Sequence, residues 1–141
     1  MANIIPDAFK SELLSGTHNF ANGGNTFKIA LFTDISGYST SSTTYSTTNE
    51  VSSSGTSYTA GGNALDSQAV SVASNTALVD FADEVFSSVT LSAVGAVIYN
   101  STNSDKIVVV LDFGGTKTAT NGDFTIQFPA AGASTAIIRI A

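Results

Sequence analysis

The sequence predicts a mainly β protein: a single antiparallel β-sandwich, immunoglobulin-like or jelly-roll-like, with one short N-terminal helix and one long loop rich in serine and threonine. Short apolar stretches recur along the chain at roughly the 8 to 12-residue spacing of such folds. Turn residues separate these stretches, and no helical pattern is interleaved with them. The 141 residues predict one domain, residues 1–141, that is long enough for one hydrophobic core.

The N-terminal segment, residues 1–20, contains the predicted helix at residues 6–15. Pro6 suits the first turn of a helix because its missing N–H would have no partner there. Phe9 and Leu13 are four residues apart and therefore lie on the same face. A helix this short is marginal alone. We therefore expect it to dock, either on its own sheet or on a neighbouring subunit.

A strand and a long loop follow the helix. Residues 26–32 alternate in polarity, which predicts a half-buried strand. Residues 33–59 are polar, and so long a connection within a compact domain usually has a function or a partner. A short helical turn is expected at residues 45–50. Three tyrosines give the loop aromatic groups for packing: Tyr38, Tyr45 and Tyr58.

The rest of the chain predicts further short strands. They are expected at residues 64–72, 77–81, 85–91, 94–99, 106–113, 124–128 and 136–140. Residues 106–113 contain five successive apolar side chains, which predicts a central strand that is buried on both faces. Turn residues predict reversals at 100–105, 114–115 and 121–122.

The composition excludes several classes of function. Charged residues make up 11% of the chain, against roughly 25% in an average domain. With five basic residues and a net charge of -6, a basic patch for nucleic-acid phosphates or anionic membranes is not expected. The absence of cysteine excludes disulfides and thiolate metal sites. A surface with so few charges suits either a protein that is covered by neighbours or a β protein with loops rich in serine and threonine.

The N-terminus has no basic region and no long apolar stretch, so the sequence does not predict a signal peptide. No window approaches the roughly 18 apolar residues of a membrane-spanning helix. We expect synthesis and folding in a cytoplasm.

No motif predicts catalysis or a cofactor. His18 is the only histidine, and no serine lies in a nucleophile elbow. Asp80, Asp83 and Glu84 form the densest acidic cluster. Carboxylates can bind calcium, but these three do not have the spacing of a calcium-binding loop. A hydrolase with a concealed site around His18 or this cluster is the least favoured hypothesis. The sequence predicts no enzyme, no cofactor and no metal site.

Six stretches of sequence, in order along nearly the whole chain, point to a family. They are FKSELLSGTH at residues 9–18, TFKIAL at 26–31, TTNEV at 47–51, YTAGG at 58–62, GAVIYN at 95–100 and LDFGGTKT at 111–118. Together they resemble the small structural proteins of tailed phages, including short-tailed phages of cyanobacteria and other aquatic bacteria.

The resemblance implies a non-enzymatic virion protein, made in the host cytoplasm and assembled into the particle. The first expectation is a capsid decoration, or cement, protein that contacts the major capsid protein as a homo-oligomer, a trimer or a dimer. The alternative is a tail, neck or fibre protein that binds a host surface or a carbohydrate. The helix and the long loop are the expected contacts, through Phe9, Leu13, Tyr38, Tyr45 and Tyr58.

Overall fold

Two antiparallel sheets and one short helix form the fold in the computed structural model, which describes residues 2–141. The elements are α1 (Asp7–Leu14), β1 (Phe27–Phe32), β2 (Asn63–Ala64), β3 (Ala69–Ala73), β4 (Thr76–Asp80), β5 (Glu84–Asn100), β6 (Lys106–Ile126) and β7 (Ile138–Ile140). The strand orders are β2-β1-β5-β6 and β3-β4-β7. The predicted mainly β, sandwich-like class is confirmed. The order itself differs from the ABED and CFG sheets of immunoglobulin domains.

The helix packs on its own domain. Phe9 is buried in the main core, where its ring meets the edge of Phe20 at a centroid distance of 6.1 Å. Leu13, one turn later, is partly buried against the same core. The predicted helix is confirmed to within one residue at each end. Of the two docking partners that the sequence left open, the structure has the helix on its own sheet.

The long hairpin of β5 and β6 corrects the predicted strand boundaries. Each of these strands unites two predicted ones, so the turns predicted within β6 do not reverse the chain. The predictions concerned are the strands at 85–91, 94–99, 106–113 and 124–128 and the turns at 114–115 and 121–122. Gly114 and Asn121 have left-handed backbone, with φ of 76° and 45°, and the register shifts nearby. Such residues let a strand bulge and bend without ending it.

Strand β1 is buried on both faces, so the prediction of a half-buried strand was wrong. Phe27, Ile29 and Leu31 face the main core, while Ala30 and Phe32 face a second apolar cluster on the other side of the sheet. The alternation in the sequence is weak, because only one side chain of this strand is polar. The second face is buried because the long loop covers it.

The 33–59 loop forms this second layer. Tyr45 stacks on Tyr99 of β5 with ring centroids 4.3 Å apart, and Tyr38 meets the edge of Phe32. The helical turn predicted at residues 45–50 is absent from the described chain; the backbone there is extended and turned instead. An isolated bridge pairs Glu50 with Phe32. The loop is therefore packed structure.

Strand β6 lies at the edge of its sheet, although the sequence predicts a central strand. Its first half is nevertheless buried on both faces, as predicted. Ile4 and Val110 exchange two backbone hydrogen bonds of 2.9 and 2.8 Å, and Thr44 bridges to Lys106. The N-terminal segment and the loop thus cover the beginning of this edge, which no local pattern in β6 could reveal.

The remaining predictions concern short strands. Those at residues 77–81 and 136–140 are confirmed as β4 and a shorter β7, and the turn at 100–105 is confirmed. The strand predicted at 64–72 is in fact two strands, β2 and β3, in different sheets. Within residues 2–141, no helix has the length and apolar composition needed to cross a bilayer.

Candidate interaction surfaces

The five residues predicted to contact a partner are packed inside the chain to different degrees. Phe9 and Tyr58 are 2% and 3% exposed and belong to the core. Leu13, Tyr38 and Tyr45 are partly buried and pack against the two apolar clusters. The structure therefore uses all five for its own packing, and they do not come together as one surface.

Glu50 is the polar centre that fixes the loop. One carboxylate oxygen, Oε2, accepts a hydrogen bond of 2.5 Å from the Tyr45 hydroxyl. The other, Oε1, accepts from the Tyr58 hydroxyl and from the backbone N–H of Gly61, each at 2.7 Å. Hydrogen bonds to an ionised group are stronger than those between neutral groups. This one side chain therefore ties three points of the loop region together.

The tyrosine hydroxyls around Glu50 act as donors. Burial, and then the hydrogen bond to Glu50, raise the pKa values of Tyr45 and Tyr58 well above the usual range for tyrosine. Tyr99 donates to the carbonyl of Gly61, and its burial raises its pKa to about 12. All three stay protonated at neutral pH and hold the loop to the sheet.

A sugar-binding use of the loop tyrosines gains little support from this geometry. Stacking on a carbohydrate needs an open ring face, whereas Tyr58 is buried and one face of Tyr45 is covered by Tyr99. Tyr38 is half-buried, donates to the carbonyl of Ser46 at 3.2 Å and lines a polar cleft of about 240 Å³. At this cleft a loop tyrosine borders open space.

His18 joins the end of the helix to the turn between β5 and β6. Its Nδ1 lies 3.0 Å from Nδ2 of Asn100, a fully buried side chain. Because the amide nitrogen is a donor, Nδ1 accepts and the ring proton lies on Nε2. Glu12 Oε2 is 3.8 Å from Nε2, too far for a hydrogen bond, and 3.0 Å from Nζ of Lys106. Through these contacts His18 helps to hold the helix against the β5–β6 turn.

The burial of His18 predicts a pH dependence of stability. Desolvation lowers the pKa of His18, against the opposing effect of the Glu12 carboxylate. The unfolded chain therefore binds more protons than the folded chain just below the usual histidine pKa of about 6.5. We expect the free energy of unfolding to fall as the pH is lowered from about 7.5 to 5.5, as measured by urea titration.

The matched variant for this titration is His18→Gln. His18 is the only histidine, so the variant should be less stable throughout but show no such slope in the same pH interval. An equal slope in the variant would assign the effect to other groups and contradict the prediction.

The acidic cluster is used at a strand connection. Asp83 accepts a hydrogen bond from the backbone N–H of Phe128 at 2.8 Å. Glu84 accepts from the side-chain amide of Asn63 at 3.0 Å. In the described part of the chain, no three histidine, cysteine, aspartate or glutamate side chains form a group that could hold a metal ion. Asp83 thus fixes the connection between β4 and β5, and Glu84 links β5 to β2 of the same sheet.

The surface carries large apolar side chains that the sequence analysis did not identify. They are Leu14, Val70, Val72, Val85 and Ile140, with exposed fractions between 40% and 89%. Pairing register places Val72, Ala77 and Ile140 side by side on one face of the β3-β4-β7 sheet. Alternating valines in β3 were the available signal, but a pattern shows which residues share a face and not whether that face is covered.

An apolar groove lies between the helix and this small sheet. It has a volume of about 370 Å³, and its lining includes Leu13, Phe20, Val70, Val79 and Ile140. Leu14, the most exposed of the large apolar side chains, follows Leu13 in the helix. The groove, with the exposed Val70, Val72 and Ile140 on its sheet side, forms the candidate contact surface, named here the helix–sheet groove.

Comparison with known proteins gives no relative: no protein-family model, no curated protein and no solved structure matches this chain. Function is therefore inferred from the residues and surfaces of the chain itself.

Proposed function

We propose that this chain is a non-enzymatic structural protein of a tailed-phage virion, and that it decorates the capsid by binding neighbouring copies of the major capsid protein. The observation that carries the proposal is the set of large apolar side chains left exposed on a firmly anchored β domain. Clustered exposed apolar residues mark interaction sites in soluble proteins. The sequence stretches that resemble phage structural proteins, in order along the chain, support the major capsid protein as the partner.

The internal anchoring supports such a role because a cement protein has to hold its shape under load. The long loop, which in isolation would be mobile, is fixed by the three hydrogen bonds to Glu50. The open edge of β6 is covered by Ile4 and Thr44. A rigid module loses little conformational entropy when it binds, which favours association.

The low charge supports dense packing of copies on a shell. With charged residues at 11% of the chain, neighbouring copies repel each other weakly. Each contact through the helix–sheet groove is small, but contacts at several points of a shell add through multivalency. Self-association as a trimer or a dimer would match the symmetry axes of a capsid.

The experiment that tests the proposal measures the copy number of the chain in purified virions by quantitative mass spectrometry. We expect a simple ratio to the major capsid protein. Ile140→Lys should lower the occupancy at least ~10-fold, because burying an isoleucine of the groove contributes roughly 2 kcal/mol that a lysine would lose. Ser11→Lys, which adds the same charge at an exposed helix position that does not line the groove, should leave occupancy unchanged.

Point substitution is a sharper test than removal of the N-terminal segment. Deleting the first fifteen residues would also remove Phe9 from the core and uncover Val110, so loss of binding would follow from misfolding. A copy number far below that of the shell protein would overturn the decoration role and favour the tail, neck or fibre alternative. Absence of the chain from virions would overturn both.

A further inference from the structure

Strand β3 differs from the other sheet edges because it carries no protection against pairing. Edge strands are normally kept from pairing by short length, charge, bulges or covering segments. Strand β2 has two residues, β7 has three including Arg139, and β6 combines covering segments with Lys117 and bulges. Strand β3 has five residues, none charged, and four of them are exposed.

The hairpin geometry shows which backbone groups of β3 point outward. Ser74 and Asn75 both have left-handed backbone and form the two-residue turn to β4. Such a turn is closed by a hydrogen-bonded pair, here Ala73 and Thr76, and the hydrogen-bonded pairs alternate along the ladder. The N–H and C=O groups of Val70 and Val72 therefore point away from β4. Within residues 2–141, none of these four groups has a hydrogen-bond partner.

The sequence of β3 is the same in both directions: Ala-Val-Ser-Val-Ala. In an antiparallel pair of identical strands centred on Ser71, every residue therefore faces a residue of the same type. Val70 would lie opposite Val72 of the partner subunit. The outward N–H and C=O groups of these two residues would then form a hydrogen-bonded pair. A two-fold axis through the middle of the strand gives this register, and the palindromic sequence places valine opposite valine in it.

We infer that two copies of this chain associate by antiparallel pairing of their β3 strands about Ser71. The two three-stranded sheets then become one continuous sheet. Four backbone hydrogen bonds form, and the valines, which are 54% and 73% exposed in the single chain, gain apolar neighbours on the same face. No charged side chain of the strand opposes the approach. The inference concerns the chain in solution and does not rest on the proposed function.

The contact is small, so we expect a dimer whose population depends on concentration. Stable dimers bury roughly 800 Å² or more on each partner, and five paired residues with their side chains supply less. A covalent trap therefore gives the clearest readout. In the pairing proposed, Ser71 faces itself at a non-hydrogen-bonded position, where Cα atoms lie about 4.5 Å apart. That distance lies within the range of a disulfide.

The experiment uses Ser71→Cys in the full chain, which has no cysteine of its own. We expect mild oxidation to give a disulfide-linked dimer, while Ser53→Cys, a control at an exposed loop serine, stays mostly monomeric. Equal cross-linking of the two variants would overturn the inference, since random collision would then explain both.

Sedimentation velocity over a concentration series provides the second measurement. We expect the wild type to dimerise and Val72→Lys to raise the dissociation constant at least ~10-fold, because it puts charge on an apolar edge. Val85→Lys, at another exposed valine, should leave it unchanged. Circular dichroism checks that both variants fold. A wild type that remains monomeric throughout, or a Val72→Lys dimer as strong as the wild-type dimer, would overturn the inference.

Discussion

Replacement of Glu50 by alanine is expected to lower the free energy of unfolding by about 3 kcal/mol, because the hydroxyl of Tyr58 and the N–H of Gly61 would lose a charged acceptor. Both groups lie at about 2.7 Å from Oε1 of Glu50, and Tyr58 is buried. The loop would also be released from the second face of the sheet. Urea denaturation followed by circular dichroism measures the loss.

Glu50→Gln is the matched control for this network. Its amide oxygen can still accept from Tyr58 and Gly61, while its amide nitrogen can donate to the oxygen of Tyr45. We expect a loss of about 1 kcal/mol, since the charge is removed but the hydrogen-bonding positions stay filled. If alanine and glutamine were equally tolerated, the loop would be held by aromatic packing and Glu50 would be dispensable.

Replacement of Gly62 by alanine is expected to cost about 4 kcal/mol or more and to leave little folded protein, because natural domains have only about 5–15 kcal/mol of stability. An added Cβ would lie 1.8 Å from the carbonyl oxygen of Ile29 and 2.8 Å from Cα of Ala30. These are backbone atoms of β1, which cannot move aside without disturbing the sheet. The φ of 77° adds the strain of a left-handed residue.

Gly55→Ala separates these two costs. Gly55 has a similar φ of 73°, but a Cβ there would meet nothing within 4 Å. We expect the variant to lose about 1 kcal/mol, the cost of the left-handed backbone alone. Thermal unfolding of the two variants gives the comparison. Similar losses in both would mean that the close approach of Gly62 to β1 does not hold in solution.

The helix and the turn between β5 and β6 could be predicted because each depends on residues that are close together in the sequence. Pro6 and the spacing of Phe9 and Leu13 located the helix, and the polar residues after Asn100 located the turn between β5 and β6. Glycine pairs were a weaker guide. At residues 114–115 they allow a strand to bulge, whereas at residues 61–62 they allow the chain to pass close to β1, and the dipeptide is the same in both.

The edge position of β6 and the exposure of β3 could not be predicted, because both depend on packing between segments that are distant in the sequence. Strand β6 reads as central because Val108, Val109 and Val110 follow one another, yet a segment from the other end of the chain covers its edge. A bulge also places Val108 and Val109 on the same side of the sheet. Strand β3 is exposed because no distant segment packs against it. The presence or absence of such contacts leaves no periodic signal in the sequence of β3 or β6.

Pairing between β1 and β5 also constrains how the chain is made. Phe27 faces Asn100, so closing this ladder brings together segments separated by about seventy residues, which is entropically slow. The β5–β6 hairpin closes across a short turn and needs no such search. During synthesis, β1 leaves the ribosome well before its partner strand β5 has been made. Its apolar side chains therefore lack their β5 partner until translation has passed residue 100, and transiently exposed apolar surface of this kind favours aggregation.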